Sequence, residues 1–261
     1  MKSKKGTIIL ELEKIYRKIL NFKTGTTNQL FGYKDYHKFV IISTSRTGST
    51  FLMSLLNKHP NIICEGEVFK KLNGKSCLNI WNSLFSKRPK SIKQVGFKLF
   101  YFHPYEDDQA VWDYLLKDKT IKIIHLKRKN QFRVYLSQRI GLKTKQWTES
   151  KYKPHNLSTQ DKLVSIDVLE SKKAIEEIIT YENKTDSQFK EHSMHELFYE
   201  DLEKDHLKEI AQAYEFLKVP YAEVEVVNTK QNKETVKQLV SNFEELEKGY
   251  KNSSFEWMIF G

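Results

Sequence analysis

The chain has 261 residues, 39% of them hydrophobic and 30% charged, and carries a formal net charge of +11. That length suits one α/β domain or two small ones, and a single domain over 1–261 is the simpler reading because no repeat, low-complexity block or Pro/Gly/Ser-rich linker divides it. Cys64 and Cys77 are too few for a disulfide framework and lack a second pair for zinc, and no run approaches the ~18 uninterrupted apolar residues of a membrane helix.

Residues 1–35 read as an N-terminal helical extension. Ile8 to Leu20 has helical apolar spacing with mixed charge opposite, a pattern that packs on its own domain more often than on a membrane or partner. Met1 to Gly6 leads into this charged segment instead of a secretory apolar region, so a cytoplasmic protein is expected. Phe39 to Ile42 then reads as a buried strand, Ser45-Arg46-Thr47-Gly48-Ser49-Thr50 as a small polar turn, and Phe51 to Leu56 as an amphipathic helix. Backbone N–H groups and a helix N-terminus converge at such a turn, which suits an anion. Gly48 permits close backbone approach, Ser49 and Thr50 can cap and donate, and the Arg46 guanidinium can fork onto phosphate or sulfonate oxygens. The nucleoside triphosphatase pattern GxxxxGK[ST] is not met, because Ser49 follows Gly48 where a lysine would stand.

Downstream, Asn61 to Ile63 is strand-like and leads into Cys64-Glu65-Gly66-Glu67-Val68-Phe69. Val95 to Phe100 reads as another strand, followed by His103 before Pro104. Ile121 to Leu126 is a strand rich in β-branched residues that ends in Lys127-Arg128-Lys129-Asn130, and Phe132, Val134, Tyr135, Leu136 and Ile140 continue it as a helix. Cations at a strand's carboxyl end are where open α/β sheets bind ligands. The polar span 143–161, with Trp147 and Tyr152, reads as an inserted loop that would serve as a lid. His192 and His195 have helical i, i+3 spacing, a weak metal signal without an HExxH pattern.

The Arg46 turn, with its arginine ahead of the glycine, resembles the 5′-phosphosulfate loop of sulfotransferases, which use 3′-phosphoadenosine 5′-phosphosulfate. His125 to Gln138 resembles that family's 3′-phosphate motif, in which a basic strand-end residue is followed, usually eight positions on, by a serine. Counting back from Ser137 reaches Lys129 at eight and Arg128 at nine; Arg128 is preferred for its bidentate grip, and Lys129 stays beside it. Val95 to Phe100 looks like the strand between the two motifs, and Phe198-Tyr199-Glu200-Asp201-Leu202 resembles the family's YEDL segment, which implies an adenine contact for Tyr199. The tail from Lys230 to Met258 is similar to the end of bacterial-type sulfotransferases of sugars and small molecules, where residues near Lys230 help close over the nucleotide. The implied fold is a P-loop-type, open, mainly parallel sheet flanked by helices.

Sulfuryl transfer places little charge on the moving SO₃ unit, so no metal is expected. It needs a base, donors on the sulfonate oxygens and positive charge at the departing phosphate. Arg46 and the amides of Thr47 to Thr50 suit the last role. The resemblance implies a carboxylate base in a GE-containing segment, which Glu67 fits better than Glu65; His103 competes, since other branches use histidine. Lys98, on the intervening strand, reads either as a group that steadies the sulfonate or as an edge-facing lysine. The expected reaction is transfer to a hydroxyl of a carbohydrate or small metabolite, with oligomeric state open. A non-catalytic bisphosphonucleotide sensor or scaffold is the alternative, and a P-loop kinase-like phosphotransferase is disfavoured by the missing GK[ST]. The positive charge attracts anions in general, but no zinc-finger or RNA-binding signature is present, so no nucleic-acid partner is expected.

Overall fold

The computed structural model describes residues 32–147, 157–223 and 234–260. The elements in order are β1 (His37–Ser43), α1 (Ser49–Leu56), β2 (Ile62–Glu65), α2 (Cys77–Leu84), β3 (Gln94–Phe100), α3 (Ala110–Lys117), β4 (Lys122–Lys127) and α4 (Gln131–Thr144). There follow α5 (Thr159–Lys162), α6 (Val168–Gln188), β5 (Met194–Phe198), α7 (Tyr199–Lys204), α8 (His206–Leu217), α9 (Val236–Leu239), α10 (Phe243–Tyr250) and a 3₁₀ turn (Glu256–Ile259).

The strands form one sheet in the order β2-β3-β1-β4-β5, and each neighbouring pair is parallel. Central parallel strands are buried on both faces and so read as continuous apolar runs, which is why Phe39 to Ile42 has no exposed residue. Phe39 and Ile41, with Ile124 of β4, face α1 and α8 through Leu52, Leu55, Ile210 and Tyr214. Val40 and Ile42 face the other layer with Phe97, Leu99, Val111, Leu115 and Phe189. The Phe39 ring lies across its register partner Gly96, where an added Cβ would stand 2.6 Å from the ring; a bulkier residue there would force β1 and β3 apart. A third cluster, with Phe132, Ile140, Ile175, Leu246 and Tyr250, fastens α4 to α6 and the C-terminal helices.

This order puts the site in place. From β1 the chain moves to β2 and β3 on one side, whereas from β4 it moves to β5 on the other, so the carboxyl ends of β1 and β4 flank a topological switch point. The parallel sheet agrees with the expected architecture. The end of the expected N-terminal helix differs: residues 32–35 are not helical, and Tyr33 exchanges backbone hydrogen bonds with Arg88. The rest of that extension, 1–31, lies outside the described residues. In the span 143–161, Lys143 and Thr144 complete α4, and Ser158 caps α5 in a capping box with Asp161. The part at 148–156, with Tyr152, lies outside the described residues. His195 belongs to β5 and not to a helix, so its spacing from His192 has no helical meaning. Among the described residues no helix is long and apolar enough to cross a membrane.

Candidate active site

The turn after β1 carries two left-handed backbone positions, Arg46 at φ 68° and Gly48 at φ 80°. Thr47 donates its hydroxyl to the Thr44 carbonyl at 2.8 Å, and the Leu52 N–H reaches back to the Gly48 carbonyl at 3.0 Å. Gly48 is the N-cap of α1 without a side-chain cap, and the first turn holds no acidic residue. The leading amides and the positive end of the helix dipole therefore lie at the Ser45 to Thr50 turn, with no carboxylate in that first helical turn to take them up. A side chain at Gly48 is excluded by position as well as by φ, since its Cβ would sit 2.4 Å from Cδ2 of Tyr199.

Arg128 turns back from the end of β4 over the same loop. Its Nη1 donates to the Arg46 carbonyl at 3.1 Å, and its guanidinium carbon stands 4.7 Å from the centre of the Tyr199 ring. Its Nε is buried without a hydrogen-bond partner among the described residues, the Glu200 carboxylate being 3.7 Å away. Arg46 donates from Nε to the Ser137 hydroxyl on α4 at 2.9 Å and from Nη1 to the Trp147 carbonyl. Burial, then the Arg128 charge, pull the Arg46 guanidinium down to about 10. The two arginines thus share a confined space that an anion would relieve.

The structure brings Arg46, Arg128, Ser137 and Tyr199 to one place and directs Lys129 elsewhere. Lys129 Nζ lies 2.7 Å from Asp201 on the exposed side of α7, so successive residues at the strand end point apart. Lys230 lies outside the described residues. Trp147 stands at the arginine, its ring packed on Gly141, where an added Cβ would be 2.9 Å away.

On the β3 side, Lys98 is buried and donates from Nζ to the Thr50 hydroxyl at 3.1 Å and to Glu67 at 3.4 Å. Its own N–H meets the Gly66 carbonyl at 3.3 Å, which carries the Glu67 segment back beside the start of α1. The Glu67 side chain keeps 24% of its surface exposed and lies 3.5 Å from Lys70. His103 is fully buried, with Nδ1 accepting the Phe100 N–H at 3.4 Å and Nε2 unpartnered among the described residues. Burial pushes its imidazole down to about 4 in spite of the nearby Glu67 charge. The histidine pair is separate: His192 meets the Leu115 carbonyl at 2.9 Å and His195 stacks on Phe216.

The sulfotransferase domain, as a family, matches residues 36–258. The chain belongs to the sulfotransferase family. No curated protein sequence matches it. Among solved structures, the sulfotransferase of Alicyclobacillus acidocaldarius is similar at 14% identity, with 85% of this chain and 94% of that one covered and a TM-score of 0.46. A mouse sulfotransferase complexed with PAP is similar at 15% identity, covering 76% of this chain and 64% of that one at a TM-score of 0.35. Retinol dehydratase in a complex with retinol and PAP gives 15% identity, 75% and 64% coverage and a TM-score of 0.33. Two residues of this sulfotransferase's site carry more than the sequence alone attached to them. Trp147 belongs to the surroundings of Arg46, and Glu200, inside the YEDL segment, reaches the turn that holds Arg128.

Proposed function

We propose that this sulfotransferase moves the sulfuryl group of 3′-phosphoadenosine 5′-phosphosulfate to a hydroxyl of a carbohydrate or small metabolite, with Glu67 as general base. The observation that carries the reading is the convergence of two basic elements from different strands, Arg46 on Ser137 at 2.9 Å and Arg128 on the Arg46 carbonyl at 3.1 Å. The buried Arg128 guanidinium makes no hydrogen bond from Nε among the described residues, its Glu200 ion pair being 3.7 Å away, so it keeps donor capacity for a phosphate, and a nucleotide with phosphates at both ends of its ribose supplies one to each element.

In this assignment Arg128 and Ser137 hold the 3′-phosphate, while Ser45, Thr47, Gly48, Ser49 and Thr50 hold the 5′ end through amides and hydroxyls. Arg46 faces the bond that breaks. Glu67 takes the proton of the acceptor hydroxyl as its oxygen bonds to sulfur; the electron pair of the severed S–O bond stays on the 5′-phosphate, where Arg46 and the helix dipole stabilise it. Lys98, between Thr50 and Glu67, faces the sulfonate oxygens. His103 is the weaker base, because a fully buried imidazole held down to about 4 has little affinity for the proton it would take. Exposed Tyr105, stacked on Phe102 and edge-on to His103, supports an acceptor with a ring face. Tyr199 packs against Gly48 and Arg128 and, in this reading, is the residue that meets the adenine.

Thermal melts with 3′,5′-bisphosphoadenosine, set beside ATP with magnesium, test the nucleotide. A shift with the first alone is expected, and a shift with the second alone would remove the proposal. An acceptor screen with radiolabelled sulfonate donor then tests transfer. In Glu67→Gln, bisphosphate binding is expected to persist while kcat drops by about 10²–10⁴; full turnover would move the base elsewhere.

A further inference from the structure

We infer that Glu200 is the positioning residue for Arg128 and thereby sets the preference for a nucleotide bearing a 3′-phosphate; the inference rests on the nucleotide reading above. One carboxylate spans the whole turn after β4. Its Oε2 accepts the Lys129 N–H at 2.9 Å, its Oε1 accepts the Asn130 N–H at 3.2 Å, and the same Oε1 is 3.7 Å from Arg128 Nε. These amides lead directly into α4, so a side chain 70 residues away in sequence supplies acceptors where α4 begins. Asn130 completes the clamp from within, its Oδ1 taking the Arg133 N–H at 2.9 Å and its Nδ2 donating to the Met258 carbonyl at 2.8 Å.

The preceding residue, Tyr199, holds the other side of the same arginine with its ring. The backbone that launches Arg128 and the direction of its guanidinium are therefore both set by the dipeptide Tyr199-Glu200 at the start of α7. Glu200 points at the turn, and among the described residues its hydrogen bonds and ion pair go to Arg128, Lys129 and Asn130 and not to Ser45 to Thr50, so its direct contacts fall on one end of the nucleotide. A long cationic side chain without such a frame would spread over several rotamers, and a phosphate would have to order it on arrival.

The test compares the affinities of 3′,5′-bisphosphoadenosine and 5′-adenosine monophosphate, by calorimetry, in wild type, Glu200→Ala, Glu200→Gln and Arg128→Ala. Wild type should favour the bisphosphate, and Arg128→Ala sets the full loss of that preference. In Glu200→Ala the bisphosphate should weaken about tenfold or more while the monophosphate changes by less than about threefold. Glu200→Gln keeps one carbonyl acceptor and should fall between, and it carries the test if Glu200→Ala does not fold. Equal weakening of both ligands, or none, in the Glu200 variants would overturn the inference, because a general structural role would not distinguish them. A wild type that does not favour the bisphosphate would instead overturn the nucleotide reading, and this inference with it.

Discussion

Gly48→Ala offers a direct measure of how tightly the two halves of the site are joined. At φ 80° an alanine bears the left-handed penalty, about 1 kcal/mol. Its methyl would stand 2.4 Å from Cδ2 and 2.9 Å from Cε2 of Tyr199, so a ring wedged against Arg128 must move by close to an ångström. Overpacking of that kind costs about 2 kcal/mol, which brings the total near 3 kcal/mol and lowers Tm by roughly 6–12 °C in a domain of this size. Only the steric part depends on the ring. Placed in a Tyr199→Ala background, Gly48→Ala should cost about 1 kcal/mol, a coupling of about 2 kcal/mol in a double-mutant cycle read by urea denaturation. Calorimetry with 3′,5′-bisphosphoadenosine should report weaker binding in Gly48→Ala, because the displaced ring carries Arg128 with it. Costs that simply add, within about 0.5 kcal/mol, would refute the picture of Tyr199 as the wedge between the two elements.

Three further outcomes are expected. Glu182, buried on α6 with Oε1 unpartnered among the described residues, has its carboxyl pushed up to about 7 by burial, so its ionisation opposes folding as pH rises through 7; Glu182→Gln should gain up to about 3 kcal/mol over wild type at pH 8.5 and little of it at pH 5, by urea denaturation at each pH. His103, held down to about 4, is neutral in the fold while an unfolded chain protonates it below its usual value near 6.5, so stability present above that value is lost as pH falls to 4; His103→Asn should flatten this acid loss by about 3 kcal/mol while leaving turnover in place, and lost turnover with intact bisphosphate binding would return the base to His103. Lys98→Met should reduce kcat by about 10²-fold with bisphosphate affinity nearly unchanged, and an equal fall in both would make Lys98 a nucleotide ligand instead.

The parts of the fold legible in the sequence were those whose signal is local. Phe39 to Ile42 announces a central parallel strand because both of its faces are buried, and the glycine turn and helix follow within a few residues. Arg128 and Lys129 could not be separated that way. Adjacent residues at a strand end point apart, and the choice between them is made by Glu200 and Asp201, which are near only after β5 has paired with β4. The weak metal signal of His192 and His195 dissolves for a related reason, since a period of three residues carries no helical meaning once one of them is in a strand. The helix Val168–Gln188 gives little signal in the sequence, although Asp167 caps it and Ile175 faces the core, because polar and charged residues together fill most of its length. Trp147 reads in the sequence as an aromatic in a polar span; its place at Arg46 depends on Gly141, one turn from the end of α4, which leaves room for the ring to lie there.

The lateral order of the strands explains why such scattered residues can serve one substrate. β3, β1 and β4 are consecutive in the sheet and supply Lys98, the Arg46 turn and Arg128 respectively, so in the proposed assignment the acceptor side, the 5′ end and the 3′ end would be met in that sequence across its carboxyl edge. Strands lie about 4.8 Å apart, which sets β3 and β4 about 10 Å from each other, the reach of a single nucleotide lying across the strands. The donor would then need no conformational change in the sheet to touch all three. What must be exact is the direction of the side chains, and the contacts that govern it come from outside these strands: Glu67 beside Lys98, Tyr199 between Gly48 and Arg128, and Glu200 on the amides that follow Arg128. On the proposed reading, selectivity among nucleotides would reside chiefly in the segment Tyr199-Glu200, while the sheet supplies the spacing.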